Sequence, residues 1–110
     1  LETLAHPQSR RVMSAENVAL LRKMLQQAVE EGTAQDAAWL EEGAGGKTGT
    51  AQTGQFTPDG TERKNLWFAG FYPAQQPRYT IVVLQDGQVS TEHSSAAIFA
   101  RLCAMLDLLA

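Results

Sequence analysis

Four consecutive residues, Lys47-Thr48-Gly49-Thr50, carry the side chains best suited to chemistry in this sequence. On an extended strand they present an ammonium group, a hydroxyl, a position without a side chain and a second hydroxyl. Such a strand suits the binding of a carboxylate, because Lys47 supplies positive charge and Thr48 or Thr50 can donate a hydrogen bond. Gly49 lets a ligand backbone come close, and an exposed strand edge can pair with an extended peptide. A short motif is only a hypothesis, and the alternative is an ordinary strand with a solvated lysine.

Gly46-Lys47-Thr48 also matches the end of a phosphate-binding loop. That loop requires a glycine five residues before Gly46, where this sequence has Glu41. It also leaves a strand and enters a helix, whereas the residues from Thr48 onward are expected to be extended. The sequence therefore argues against a nucleotide site.

Length and composition fit one small globular domain of 110 residues. Nine Lys and Arg against twelve Asp and Glu give a net charge of -3, which argues against nucleic-acid binding. The single cysteine, Cys103, excludes an internal disulfide and a multi-cysteine zinc site, and it is expected to pack in the core. His93 is expected at the surface, with no metal partner nearby except His6 by chance. No metal and no cofactor are predicted, and no apolar run approaches the roughly 18 residues of a membrane span.

Two amphipathic helices are predicted, over 14–31 and 95–109. In the first, Ser14 is the N-cap, and apolar residues recur every three or four positions up to Gly32, which can end a helix. The second follows a pair of candidate serine caps and has its apolar residues on one face. Residues 1–13 show no clear period and are interpreted as an extended lead-in or an orphaned strand.

Three strands are predicted between the helices, near 46–53, 65–72 and 78–85. Core packing is expected for the aromatic residues of the second strand (Trp67, Phe68, Phe71 and Tyr72). The stretch 78–84, which contains the β-branched run 80–83, is expected to be a strand covered on both faces. The polar stretch 53–64 is expected to be an exposed connection. Short links favour antiparallel hairpins, so the predicted class is α/β, with a three-stranded antiparallel sheet flanked by N- and C-terminal helices.

Several segments match one known family in order and spacing. They are Met13-Ser14-Ala15-Glu16, the segment 25–33, the segment 45–54, Trp67-Phe68-Ala69-Gly70-Phe71-Tyr72-Pro73, Pro77-Arg78-Tyr79 and the Ala-rich final helix. Together, residues 14–109 resemble the C-terminal third of the transpeptidase domain of class B penicillin-binding proteins, which are serine acyltransferases of the β-lactamase-like superfamily. Lys-Thr-Gly is the third motif of that group. The resemblance implies a partial penicillin-binding transpeptidase fold.

The resemblance also implies a function for the intact protein. It would be a D,D-transpeptidase that crosslinks peptidoglycan, with the D-Ala-D-Ala stem peptide and β-lactams as its partners. Lys47 would hold the serine of the Ser-x-Asn motif, and Thr48, Gly49 and Thr50 would bind the substrate carboxylate and backbone. The backbone N–H of Thr50 would complete the oxyanion hole. The protein would lie at the extracytoplasmic face of the bacterial cell membrane, anchored by an N-terminal segment absent from this chain.

The departures from the family pattern define the alternatives. The sequence contains neither Ser-x-x-Lys nor Ser-x-Asn, both of which lie upstream in the family, so the chain is expected to be an inactive trailing piece of a longer protein. A non-enzymatic β-lactam sensor or a degenerate penicillin-binding domain is the alternative, and an unrelated structural module with a solvated Lys47 is a third. Because the strand matching 79–84 is internal in the family, the isolated chain is expected to self-associate through it or to fold 1–13 over it.

Overall fold

Two helices and three antiparallel strands make up the fold in the computed structural model, which describes residues 7–109. The elements are α1 (Ala15–Glu30), a short 3-10 helix (Gln35–Ala37), β1 (Gly45–Phe56), β2 (Glu62–Tyr72), β3 (Tyr79–Gln88) and α2 (Ser95–Leu109). The strands lie in the order β1-β2-β3, with both neighbouring pairs antiparallel. The predicted fold class is confirmed.

Residues 7–13 of the predicted lead-in form neither helix nor strand, and they are exposed. The remaining residues of that lead-in, 1–6, lie outside the described part of the chain. Within 7–13, no residue therefore pairs with the edge of β3.

Side-chain caps fix the start of each of the two α-helices. The hydroxyl of Ser14 accepts a hydrogen bond from the N–H of Asn17 (3.2 Å) at the start of α1. At the start of α2, the hydroxyl of Ser94 accepts from the N–H of Ala97 (3.0 Å) and donates to the carboxylate of Asp36 (2.6 Å). Since Asp36 belongs to the 3-10 helix, this last bond ties the segment before the sheet to the helix after it.

The core lies between the sheet, α2 and the end of α1 with the segment that follows it. Phe68 of β2 and Phe99 of α2 are fully buried, with ring centroids 4.6 Å apart. Cys103 is buried as predicted, and burial raises its pKa to about 12. The hydroxyl of Tyr72, also buried, donates to the carboxylate of Asp107 near the end of α2. Burial, with a further contribution from that hydrogen bond, raises the pKa of Tyr72.

The prediction that Trp67 packs in the core is wrong, as is the prediction that the strand 78–84 is covered on both faces. Trp67 is 39% exposed, Val82 is 58% exposed and Leu84 is 45% exposed. The strand register explains this. Trp67 is paired with Leu84, and Ala69, two residues further along β2 and on the same face, is paired with Val82. Residues paired in this way point to the same face, and that face is the one opposite Phe68 and α2.

The interpretation of 53–64 as a connection is also wrong in its extent. β1 continues to Phe56 and β2 begins at Glu62, so only the five residues between them form the turn. The turn-forming sequence Thr57-Pro58-Asp59-Gly60 lies at the tip, where the N–H of Gly60 donates to the carbonyl of Thr57 (2.9 Å). The two strands thus extend as an exposed two-stranded arm.

Candidate functional site

The four candidate residues lie on β1, which is an edge strand of the sheet in the described part of the chain. β2 pairs with one side of β1, and the register joins Thr48 to Phe68 and Gly49 to Trp67. An edge strand has backbone N–H and C=O groups that point away from its neighbour and are free to bind another chain. The arrangement therefore combines free backbone groups with the side chains of Lys47, Thr48 and Thr50.

Alternation along the strand divides these side chains between the two faces of the sheet. Lys47 and Gly49 share the face of Trp67, and Thr48 and Thr50 share the face of Phe68. Both faces are open at this edge, since Lys47 and Thr50 are exposed and Thr48 and Gly49 are partly exposed. A ligand that lies along the edge can thus meet groups from both faces.

Lys47 has few partners within residues 7–109. Its Nζ donates one hydrogen bond, to the carbonyl of Thr48 (3.1 Å). An ammonium group has three N–H donors, so the remaining two can reach a ligand or another part of the protein. Lys47 therefore places an accessible positive charge at the free edge.

Thr48 makes a contact that the sequence predictions did not include. Its hydroxyl donates to the hydroxyl of Thr33 (3.3 Å), which lies 15 residues earlier, just after α1. Nothing in the local sequence around Thr33 signals this contact, because it depends on where the fold places the end of α1. No corresponding side-chain hydrogen bond is found for Thr50 in the described residues, so the two hydroxyls differ in how firmly they are oriented.

The first two residues of β1 hold the strand against the sheet. A Cβ placed on Gly45 would lie 2.2 Å from the ring of Phe71, and one on Gly46 would lie 2.3 Å from the ring of Phe68. At Gly49 the nearest atom to such a Cβ is the Cβ of Trp67, at 3.6 Å, an ordinary contact distance. The strand is thus tightly packed where it begins and open where the candidate residues lie.

Beyond the candidate residues, β1 bends into the exposed arm. The register shifts between Gln52 and Phe56, and Gly54 in this interval has a φ of 73°. The N–H of Gly54 donates to the carboxylate of Glu62 and the N–H of Gln55 to the hydroxyl of Thr53 (3.1 Å each). These local bonds fix the bend at Gly54, a few residues beyond the last candidate residue, Thr50.

Two kinds of site are absent from residues 7–109, the described part of the chain. Within them, no group of three or more His, Cys, Asp or Glu side chains is placed to hold a metal ion. Among these residues there is also no helix with the length and apolar content needed to span a membrane.

Comparison with known proteins identifies the family. The model of the penicillin binding protein transpeptidase domain matches residues 3–104. The chain belongs to this family. A search of curated proteins found no matching relative.

Two solved structures of penicillin-binding transpeptidases are similar to the chain. Penicillin binding protein 3 from Mycobacterium tuberculosis, solved in complex with ampicillin, is 29% identical with a TM-score of 0.75, and the match covers 98% of this chain. The transpeptidase domain of FtsI4 D,D-transpeptidase from Legionella pneumophila is 26% identical with a TM-score of 0.64, and the match covers 89% of this chain. The chain spans only 27% and 37% of the lengths of these two proteins.

Proposed function

We propose that this chain forms the Lys-Thr-Gly wall of the active site of a D,D-transpeptidase that crosslinks peptidoglycan. The observation that carries the proposal is the position of Lys47-Thr48-Gly49-Thr50 on the free edge of the sheet in a chain of the penicillin-binding transpeptidase family. A serine and a lysine from the rest of the protein supply the nucleophile and its activating base. The chain by itself does not acylate.

The substrate of this wall is the D-Ala-D-Ala end of a stem peptide, and β-lactams act as mimics of it. The hydroxyls of Thr48 and Thr50 donate hydrogen bonds to the C-terminal carboxylate, and Lys47 provides the positive potential that attracts it. Both hydroxyls lie on one face of the edge strand, two residues apart, which supports their acting on the same carboxylate. Lys47 also helps to hold the serine of the Ser-x-Asn motif.

The reaction proceeds by acyl transfer. The serine attacks the carbonyl carbon of the penultimate D-Ala, and the terminal D-Ala leaves as an amine. The acyl group then passes to the amino group of a second stem peptide, which releases the serine. The backbone N–H of Thr50 and that of the serine form the oxyanion hole, where one donor typically contributes about 3 kcal/mol to transition-state stabilisation.

The substrate also implies a location. Because peptidoglycan is crosslinked outside the cytoplasm, the intact protein acts at the extracytoplasmic face of the bacterial cell membrane. An N-terminal segment outside this chain anchors it there.

Acylation of the full-length protein tests the proposal. We expect a fluorescent penicillin to label it covalently, with a mass increase of one penicilloyl group. We also expect the protein to crosslink a stem peptide. The double variant Thr48→Val/Thr50→Val should label much more slowly, whereas Thr80→Val, which removes an exposed hydroxyl from β3, should label like wild type. Labelling without crosslinking would instead identify a β-lactam sensor, and no labelling would contradict both.

We also propose that the isolated chain self-associates through β3. Its outer edge lacks a partner strand in the described residues, and its side chains Val82 and Leu84 are exposed. Apolar edges without charge or proline favour pairing with another chain. Sedimentation should show a dimer with slow amide exchange at 80–84. A monomer with fast exchange at these amides would contradict this proposal.

A further inference from the structure

Thr33 lies close to the candidate site although it belongs to a different part of the chain. It follows the end of α1, and its hydroxyl accepts the hydrogen bond donated by Thr48 (3.3 Å). Thr33 is exposed, so the contact is not a by-product of packing in the core. The two hydroxyls meet in the open, next to the edge that the substrate would approach.

The backbone on both sides of Thr33 is fixed. The N–H of Ala34 donates to the carbonyl of Ala28 (3.1 Å), and Ala34 is fully buried. At Gly32 a Cβ would lie 3.0 Å from that same carbonyl oxygen of Ala28, so the chain turns tightly against the end of α1. The hydroxyl of Thr33 is therefore held in place by its buried neighbour although the side chain itself is exposed.

A hydroxyl is both a donor and an acceptor, and its hydrogen rotates to suit its partners. Without a ligand, Thr48 donates to Thr33. When a carboxylate takes the hydrogen of Thr48, the bond between the two threonines can reverse, so that Thr33 donates to the oxygen of Thr48. A donor that is itself hydrogen-bonded in this way becomes better oriented and more polarised toward the anion.

We propose that Thr33 is a positioning residue for the substrate carboxylate and acts through Thr48. This inference rests on the proposed function, since it assumes that Thr48 binds the carboxylate. Thr33 does not touch the substrate. It keeps the hydroxyl of Thr48 in the orientation that binds, whereas Thr50, with no such partner in the described residues, adapts to the ligand.

The test measures the binding constant and the acylation rate constant of the full-length protein separately, with benzylpenicillin. Thr33→Val keeps the shape and removes the hydroxyl, and it should weaken binding about 3- to 10-fold, the size of one ordinary hydrogen bond. The acylation rate constant should change less. Thr33→Ser, which retains a hydroxyl, should bind benzylpenicillin like wild type. If Thr33→Val does not fold, Thr33→Ala should show the same loss of binding.

The double variant Thr33→Val/Thr48→Val decides whether Thr33 acts through Thr48. It should bind no more weakly than Thr48→Val alone, because the effects of residues that act as a unit are not additive. Additive losses, or wild-type binding by Thr33→Val, would overturn the inference and leave the proposed function intact. A wild-type protein that is not acylated, or a Thr48→Val variant that binds normally, would overturn the role assigned to Thr48 and the inference with it.

Discussion

Gly46 and Gly49 lie three residues apart on one strand, yet their surroundings differ sharply. The ring of Phe68 and the carbonyl oxygen of Ala69 leave no room for a side chain at Gly46, whereas the space around Gly49 accepts a Cβ at an ordinary distance. The φ of Gly49 is not positive either, so its backbone conformation is open to any residue. The fold thus requires glycine at position 46 and does not require it at position 49.

This difference separates structural from functional use of the same residue type. If packing within the chain does not require glycine at 49, a requirement there comes from something that approaches the edge from outside. A ligand backbone lying along the edge strand would meet a side chain at that position. A substitution at Gly49 therefore tests whether a substrate lies along β1 at this position.

Gly46→Ala is expected to have the largest effect. Its new methyl group would lie 2.3 Å from the ring of Phe68 and 2.7 Å from the carbonyl oxygen of Ala69. The ring can turn, but the carbonyl belongs to the neighbouring strand, so β1 must move away from β2. Overpacking of this kind typically costs about 1–3 kcal/mol. A drop in the thermal unfolding temperature of the domain measures it, and a wild-type temperature would show that the strand shifts without cost.

Lys47→Ala is expected to affect activity and leave stability unchanged. The side chain is exposed and donates only to the carbonyl of Thr48 in the described residues, so its removal disturbs no packing. Loss of a charge-assisted hydrogen bond in the transition state should slow β-lactam acylation of the full-length protein at least about 10-fold. Lys47→Arg should be intermediate, because the guanidinium keeps the charge in a broader shape. Wild-type acylation by Lys47→Ala would remove this residue from the site.

Gly49→Ala provides the matched control for Gly46→Ala. Its unfolding temperature should equal that of wild type, because the added methyl group meets only Trp67, at 3.6 Å. Acylation should nevertheless slow by several-fold, less than for Lys47→Ala, because the methyl group narrows the path of the ligand backbone. An unfolding temperature as low as that of Gly46→Ala would break the comparison between the two glycines. Unchanged acylation would show that nothing approaches the strand closely there.

The two helices and the buried part of β2 follow from local rules. Apolar spacing and a serine cap predicted α1 within one residue at its start, because these signals act within a few residues of chain. Alternation in a strand separates Phe68 and Tyr72 from Trp67, yet residue type alone suggests burial for all three. Which face of a strand is covered depends on what the rest of the chain brings to it, and that information is not local.

The extent of the hairpin arm and the role of Thr33 could not be predicted for related reasons. A two-stranded arm with both faces in solvent needs no alternation of apolar and polar residues. The sequence of its strands therefore resembles that of a polar loop. Thr33 meets Thr48 only after α1 has packed beside β1. Predictions from a motif place Lys47, Thr48 and Thr50 on a strand, whereas the groups that orient them come from elsewhere in the fold.

Shortening the tip of the arm is expected to have the smallest effect. It tests whether β1 stays free of contacts with the rest of the protein up to its end. The turn is closed by its own bonds, from the N–H of Thr57 to the carbonyl of Thr61 (2.9 Å) and from the N–H of Gly60 to the carbonyl of Thr57. Its residues are mostly exposed, and exposed loop tips tolerate shortening. Replacing 57–60 by Asn-Gly, which favours a tight hairpin turn, should keep the unfolding temperature within a few degrees of wild type. Loss of soluble expression would mean instead that the arm packs against another part of the protein.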